Sequence, residues 1–132
     1  MTAIAQTRAR SIGAALDTVR PILRLEGLAM LLVGVVAWER LGGDLLWLLP
    51  VLLLPDLSAI GYLAGPALGS LTYNLVHNWA LGLALLGAGL AWGIPFAALA
   101  GAVVIAHVGM DRLAGYGLKH PGSFKDTHMQ RA

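Results

Sequence analysis

The chain contains no cysteine, which excludes disulfides, thiolate-bound zinc, iron–sulfur clusters and thiol chemistry. Charge is the second shortage. Nine Lys/Arg and seven Asp/Glu make 12% of the 132 residues, where an ordinary soluble domain carries about 25%. Hydrophobic residues make up 58%, and so few charges cannot clothe a water-facing surface. The shortage is also concentrated, since no formal charge occurs from Leu57 to Met110. A bilayer crossing takes about 20 apolar residues, so this stretch is too long for one helix and suffices for two. The pattern is that of an integral membrane protein. The sequence pI of about 9.4 does not point to nucleic acid, because the basic residues flank the apolar runs, where cytoplasmic-side segments carry them.

Four runs are present. Pro21 to Leu41 is followed by the turn Gly42-Gly43-Asp44. Leu45 to Ala64 is interrupted by Pro50 and Pro55 and closed by Gly65-Pro66. Ala67 to Ala91 ends at Gly93-Ile94-Pro95, and Pro95 to Leu113 completes the set. The expected fold is all-α: an integral membrane four-helix bundle with short loops and a folded-back cytoplasmic C-terminal segment. Three parts follow, namely a basic segment over residues 1–20, the four-span bundle over 21–114 and a tail over 115–132. Arg8, Arg10, Arg20 and Arg24 precede the bundle, Arg112, Lys119, Lys125 and Arg131 follow its interior, and only Arg40 lies in a loop. The positive-inside tendency then places both termini in the cytoplasm, with the chain multi-pass in the cell (inner) membrane.

Residues 1–20 lack the apolar core and cleavage site of a secretory signal. Ile4, Ile12, Leu16 and Val19 beside the arginines read as a helix lying on the anionic inner surface or as a disordered basic tail. Ala80, Ala84 and Ala88, and Ala98, Ala102 and Ala106, recur every four residues. Such spacing predicts close packing of the third span on the fourth, or a homo-oligomer face.

The polar residues of the runs carry the chemistry. Ser70, Tyr73, Asn74 and His77 form one stripe at helical spacing, and His107 and Asp111, four apart, share a face. Asp56 follows Pro55 in a run where two prolines free backbone carbonyls. Counting along the helices puts Asp56, His77, His107 and Asp111 in the inner half of the membrane, where they are expected to converge. Arg24 and Glu26 lie about 200° apart on the first helix, so Glu26 is expected inward with Arg24 snorkelling to the head groups. An Arg24 pair with Asp56 or Asp111 is the other arrangement.

Intramembrane ionisable groups are costly and point to function. Three functions use this set. In a metal-dependent intramembrane hydrolase acting on an amphiphilic substrate, His77 and His107 bind zinc, iron or manganese with Asp56 or Asp111, and the other carboxylate is the base. Tyr73, Asn74, Arg112, Arg24 and Glu26 support them. In a proton- or ion-conducting small transporter the same residues form a relay. In a structural or accessory membrane subunit they lock helix register.

After the last span, glycines bracket Tyr116, and charges alternate with Phe124, His120 and His128. Residues 115 to 128 are expected to be ordered, to bury Tyr116 and Phe124 over the cytoplasmic mouth, and to bring His128 near Arg24 or Glu26.

Several strings together resemble a known family. They are Arg24-Leu25-Glu26-Gly27, Pro55-Asp56-Leu57-Ser58 through Gly61-Tyr62-Leu63-Ala64-Gly65-Pro66, Tyr73-Asn74-Leu75-Val76-His77, Ala106-His107-Val108-Gly109-Met110-Asp111-Arg112, and Gly115-Tyr116-Gly117-Leu118-Lys119 leading to Phe124-Lys125-Asp126-Thr127-His128. The family comprises small bacterial and archaeal membrane proteins known as domain of unknown function 4260. The resemblance spans about residues 20 to 130. It implies a four-helix integral membrane protein and supplies no activity. His120 stands where the family pattern implies an aromatic residue, which argues against a strict role for that side chain.

Overall fold

The computed structural model describes residues 2–132 and is all-helical, with no β-strand among the described residues. Helix α1 (Ala3–Ala15) is capped by Thr2, whose hydroxyl accepts the Ala5 N–H, and none of its residues is buried. The basic segment is thus a helix standing off the core. Helix α2 (Val19–Arg40) follows after a short turn, then α3 (Leu45–Val51), which opens on an Asp44 cap. The second run is interrupted at its prolines, as its sequence implies, and tightens into a 3-10 helix over Leu54–Ala64. The third run is divided as well, into α4 (Pro66–Val76) and α5 (Trp79–Ala91). Like α2, α6 (Pro95–Ala114) crosses its run unbroken, and a last turn, α7 (His128–Arg131), ends the chain.

Four helical stretches are long and apolar enough to cross a membrane: Ala3–Arg40, Leu45–Ala64, Pro66–Ala91 and Pro95–Ala114. They are unequal in burial. The most apolar window of the last is 67% buried, against 17% for each of the others, so α6 is the axis on which α2 and α5 are hung.

Glycine allows that approach. A Cβ on Gly34 of α2 would lie 2.5–2.7 Å from Ala106, and one on Gly82 of α5 would lie 2.7 Å from the Ile105 side chain. Gly27 and Gly89 repeat these contacts seven residues away on each helix, against Arg112 and Ala98. The alanine stripes therefore need correcting. Ala98, Ala102 and Ala106 are buried in α6, but Ala80 and Ala84 face outward, and Gly82 and Gly89 form the third run's seam. Small residues pack helices by letting backbones touch, and glycine does so more completely than alanine.

The tail folds back on the bundle. Gly115 (φ 94°) ends α6 in a Schellman motif, with Gly115 N–H donating to the Arg112 carbonyl and Tyr116 N–H to that of Asp111. Lys119 and Thr127 then pair as an antiparallel bridge, and Thr127 and Met129 are buried. Arg20 of α2 donates to the carbonyls of Gln130 and Ala132. His128 does not lean on Arg24 or Glu26 as expected. Its Nδ1 instead accepts the Leu118 N–H at 2.9 Å across the bridge.

Candidate metal centre

Each broken helix delivers one side chain to a common point, and the breaks themselves hold the neighbours in place. Pro55 has no N–H, and the following amide, Asp56 N–H, turns tightly onto the Leu53 carbonyl at 3.1 Å. In an α-helix it would have gone to Leu52. The Leu52 carbonyl is thereby released, and His107 of α6 takes it, its Nδ1 lying 2.6 Å away. At the second break, His77 closes α4 with its N–H on the Tyr73 carbonyl. Its ring Nδ1 reaches the same oxygen at 2.9 Å, with the Ser58 hydroxyl at 3.3 Å. Asn78 stitches the gap, donating to the carbonyls of Asn74 and Leu75 and accepting the Leu81 N–H as the cap of α5. Arg112 donates to the His77 carbonyl, left free by the break.

A ring nitrogen facing a carbonyl carries the proton, so both histidines hold Nδ1–H, and in the neutral ring that leaves the lone pair on Nε2. Those two Nε2 atoms face each other at 3.0 Å. Asp56 Oδ1 lies 3.3 Å from His77 Nε2 and 3.4 Å from His107 Nε2. A tetrahedral ion with ligand bonds of about 2.0–2.1 Å needs its ligand atoms about 3.3–3.4 Å apart. The three atoms are thus spaced as one face of such a tetrahedron, and they could hold a divalent ion.

Asp111 completes the set from one side, its Oδ2 lying 3.5 Å from His107 Nε2 and 3.8 Å from His77 Nε2. It accepts the Tyr73 hydroxyl at 2.9 Å, and the Tyr73 ring stacks on that of His77 with centroids 3.5 Å apart. Both histidines are 0% exposed, whereas the Asp56 side chain is 52% exposed. The centre is therefore closed on its histidine side and open at Asp56. That opening is a cavity of about 380 Å3, lined by Asp56, Tyr73 and Asp111 from the bundle and by Tyr116, Lys119 and Phe124 from the tail. A separate apolar groove of about 470 Å3 includes Pro55 and Val76, the residues just before Asp56 and His77.

The structure thus brings Asp56, His77, His107 and Asp111 together, with Tyr73 on Asp111. Asn74 and Arg112 act on the frame instead. The Asn74 amide clamps Lys119 at two points, donating to its carbonyl at 2.8 Å and accepting its N–H at 2.7 Å. Arg112 bonds the carbonyls of His77 and Tyr116. Glu26 is a correction: it is exposed on α2, because Gly27 occupies the face that meets α6. Arg24 is exposed too, lies against Gly115, and makes no ion pair with Asp56 or Asp111 among the described residues. Tyr116 and Phe124 are about half exposed, roofing the cavity rather than being buried.

Sequence reasoning missed Ser58 and the Leu52 carbonyl. A backbone acceptor leaves no trace in residue type, and the only available signal was the proline pair. Burial holds the Lys119 ammonium below its ordinary value, an effect opposed by the negative charges of Asp111 and Asp56.

Comparison with curated proteins and with solved structures yields no match. Over residues 20–132 the chain matches the family described as Domain of unknown function (DUF4260), and it belongs to that family.

Proposed function

We propose that the protein is a multi-pass membrane protein of the inner membrane, with both termini cytoplasmic, that binds one divalent metal ion and hydrolyses an amphiphilic substrate. Two histidine Nε2 lone pairs and the Asp56 carboxylate meeting at 3.0–3.4 Å, each imidazole oriented by a carbonyl behind it, is the observation that carries this reading. Electron-rich atoms so close repel unless a cation sits among them. One proton can bridge one pair, whereas a divalent ion engages all three. Nitrogen and oxygen donors without sulfur suit zinc, iron or manganese.

His77 and His107 would hold the ion through Nε2, and Asp56 would be the third protein ligand, leaving a position toward the cavity. Bound there, the ion supplies Lewis acidity and makes water a stronger nucleophile. Asp111 is the general base. It takes one proton from the attacking water and returns it to the leaving oxygen as the substrate's ester bond breaks. Tyr73 aims the Asp111 carboxylate by its hydroxyl bond. The apolar groove beside Pro55 and Val76 gives the tail of an amphiphile a place next to the centre.

Elemental analysis of detergent-purified protein tests this reading. About one equivalent of a transition metal per chain is expected, falling below a tenth in a His77→Ala/His107→Ala double variant. Asp111→Asn should keep the metal and lose at least a hundredfold in hydrolysis, the scale of a lost general base. Parent protein that takes up no metal even when incubated with zinc would overturn it and favour a relay or a structural network.

A further inference from the structure

We infer that Lys119 is the anion-binding group of the cavity and that the substrate is a phosphate ester of an amphiphilic alcohol, an assignment that rests on the hydrolytic reading above. Lys119 is only 5% exposed, and lysine is seldom so buried without a partner. Yet no carboxylate lies within 4.0 Å of its ammonium among the described residues. The ammonium sits over Phe124, 3.8 Å from the ring centroid, with the rings of Tyr73 and Tyr116 at 4.8 and 5.9 Å. Aromatic faces attract a cation without neutralising it, so the positive charge remains available to the cavity that this side chain lines.

The position is built rather than incidental. The two-point bond from Asn74, one turn before the ligand His77, ties the Lys119 backbone to the helix that carries the centre. Pairing with Thr127 holds it from the other side. The tail therefore brings one cation, at fixed register, to the cavity that also contains Asp56 and Asp111.

The placement of that charge selects the substrate class. A carboxylic ester or amide is neutral at the bond to be cleaved and offers a ground-state cation only a carbonyl dipole. A phosphate ester carries negative oxygens on the reacting group itself. Lysine is a natural partner for such oxygens as a point charge. Both carboxylates of the cavity are committed, Asp56 to the ion and Asp111 to the water, which leaves Lys119 for the phosphate. In the step, water oxygen bonds to phosphorus and the ester P–O bond breaks. The leaving alcohol oxygen receives the proton that Asp111 had taken, and the products are an alcohol and a phosphate.

Binding of small probes to zinc-treated, full-length protein in a phosphate-free maltoside detergent tests this. The probes are hexyl phosphate, inorganic phosphate and hexanol, titrated calorimetrically, with metal content measured on every sample. Hexyl phosphate is expected to bind at least tenfold more tightly than inorganic phosphate, and hexanol not measurably. Lys119→Met, which keeps the aliphatic stem, should weaken hexyl phosphate at least tenfold with unchanged metal content, and Lys119→Arg should restore most of the binding. Equal binding by parent and Lys119→Met, or equal binding of hexyl phosphate and hexanol, would overturn the inference while leaving the metal reading intact. Inorganic phosphate binding as tightly as hexyl phosphate would overturn the amphiphile and identify a free phosphate site. Loss of metal in the parent, with binding that still depends on Lys119, would sink the hydrolytic reading and with it the substrate assignment.

Discussion

Helix α6 and the hairpin from Leu45 to Asn78 contribute equally to the candidate centre and are built in opposite ways. The helix is unbroken, buried along two thirds of its apolar window, and carries His107 and Asp111 on one face. The hairpin is broken twice, is buried over only a sixth of its windows, and presents Asp56 and His77 from the breaks. A regular helix satisfies its own carbonyls and has none to spare for a side chain. A broken one has carbonyls in need of donors, and here Leu52 accepts His107 while the His77 carbonyl accepts Arg112. Rigid packing thus places His107 and Arg112, and released backbone orients them.

The largest effect should come from the packed side of this comparison. Gly34→Leu would drive a side chain into the α6 backbone at Ala106, and overpacking of this kind costs about 1–3 kcal/mol or more. The variant is expected to lose its cooperative thermal transition in detergent. Ala84→Leu, on the outward face of α5, should melt with the parent. If both behave alike, α6 is not the axis of the bundle.

The difference between the two regions also separates what could be read in the sequence from what could not. Apolar runs, their ends at Gly-Pro and Gly-Gly, and the shared face of His107 and Asp111 follow from hydropathy and helical period, because α6 obeys both. The hairpin does not. The stripe through Ser70, Tyr73, Asn74 and His77 holds as far as α4 runs, and then the helix stops at His77, an event without a proline or glycine to announce it. Asn78 was the available signal, since its amide can close one helix and open the next. Glu26 was misplaced for a related reason. Neighbouring Gly27 owned the inward face, and the need for close approach outweighed the cost of exposing a carboxylate.

A smaller effect tests the broken side. In Pro55→Ala the backbone can recover α-helical bonding, and Asp56 N–H can return to the Leu52 carbonyl, competing with His107 Nδ1 for it. Partners that orient a metal-binding histidine change metal affinity by about 10–100-fold. Zinc affinity of Pro55→Ala, measured by chelator competition, should fall about tenfold while the melting temperature holds or rises. Unchanged affinity would mean that the released carbonyl does not orient His107, and the argument from backbone to tautomer would lose its support.

The smallest expected effect lies in the tail and depends on pH. Burial, reinforced by the positive charge of Arg112, holds the His128 imidazole below its ordinary value, and its Nδ1 accepts the Leu118 N–H. Protonation would turn that acceptor into a donor and break the bond. Above the ordinary histidine value of about 6.5 both folded and unfolded tails are neutral at this ring, and the full contribution is present. As pH falls below it, the unfolded tail takes up a proton that the folded tail resists, so the contribution is lost progressively until the folded imidazole itself protonates. A lost hydrogen bond of this type is worth about 1 kcal/mol. Amide-exchange protection at Leu118 and Lys119 should therefore drop about fivefold between pH 7.5 and 5.5, after correction for intrinsic rates, while protection along α6 stays constant. In His128→Asn, which retains an acceptor without the titration, the pH dependence should vanish. A parallel loss in α6 would show that the tail and the bundle open as one unit, and the contrast between a rigid axis and a separately held roof would fail.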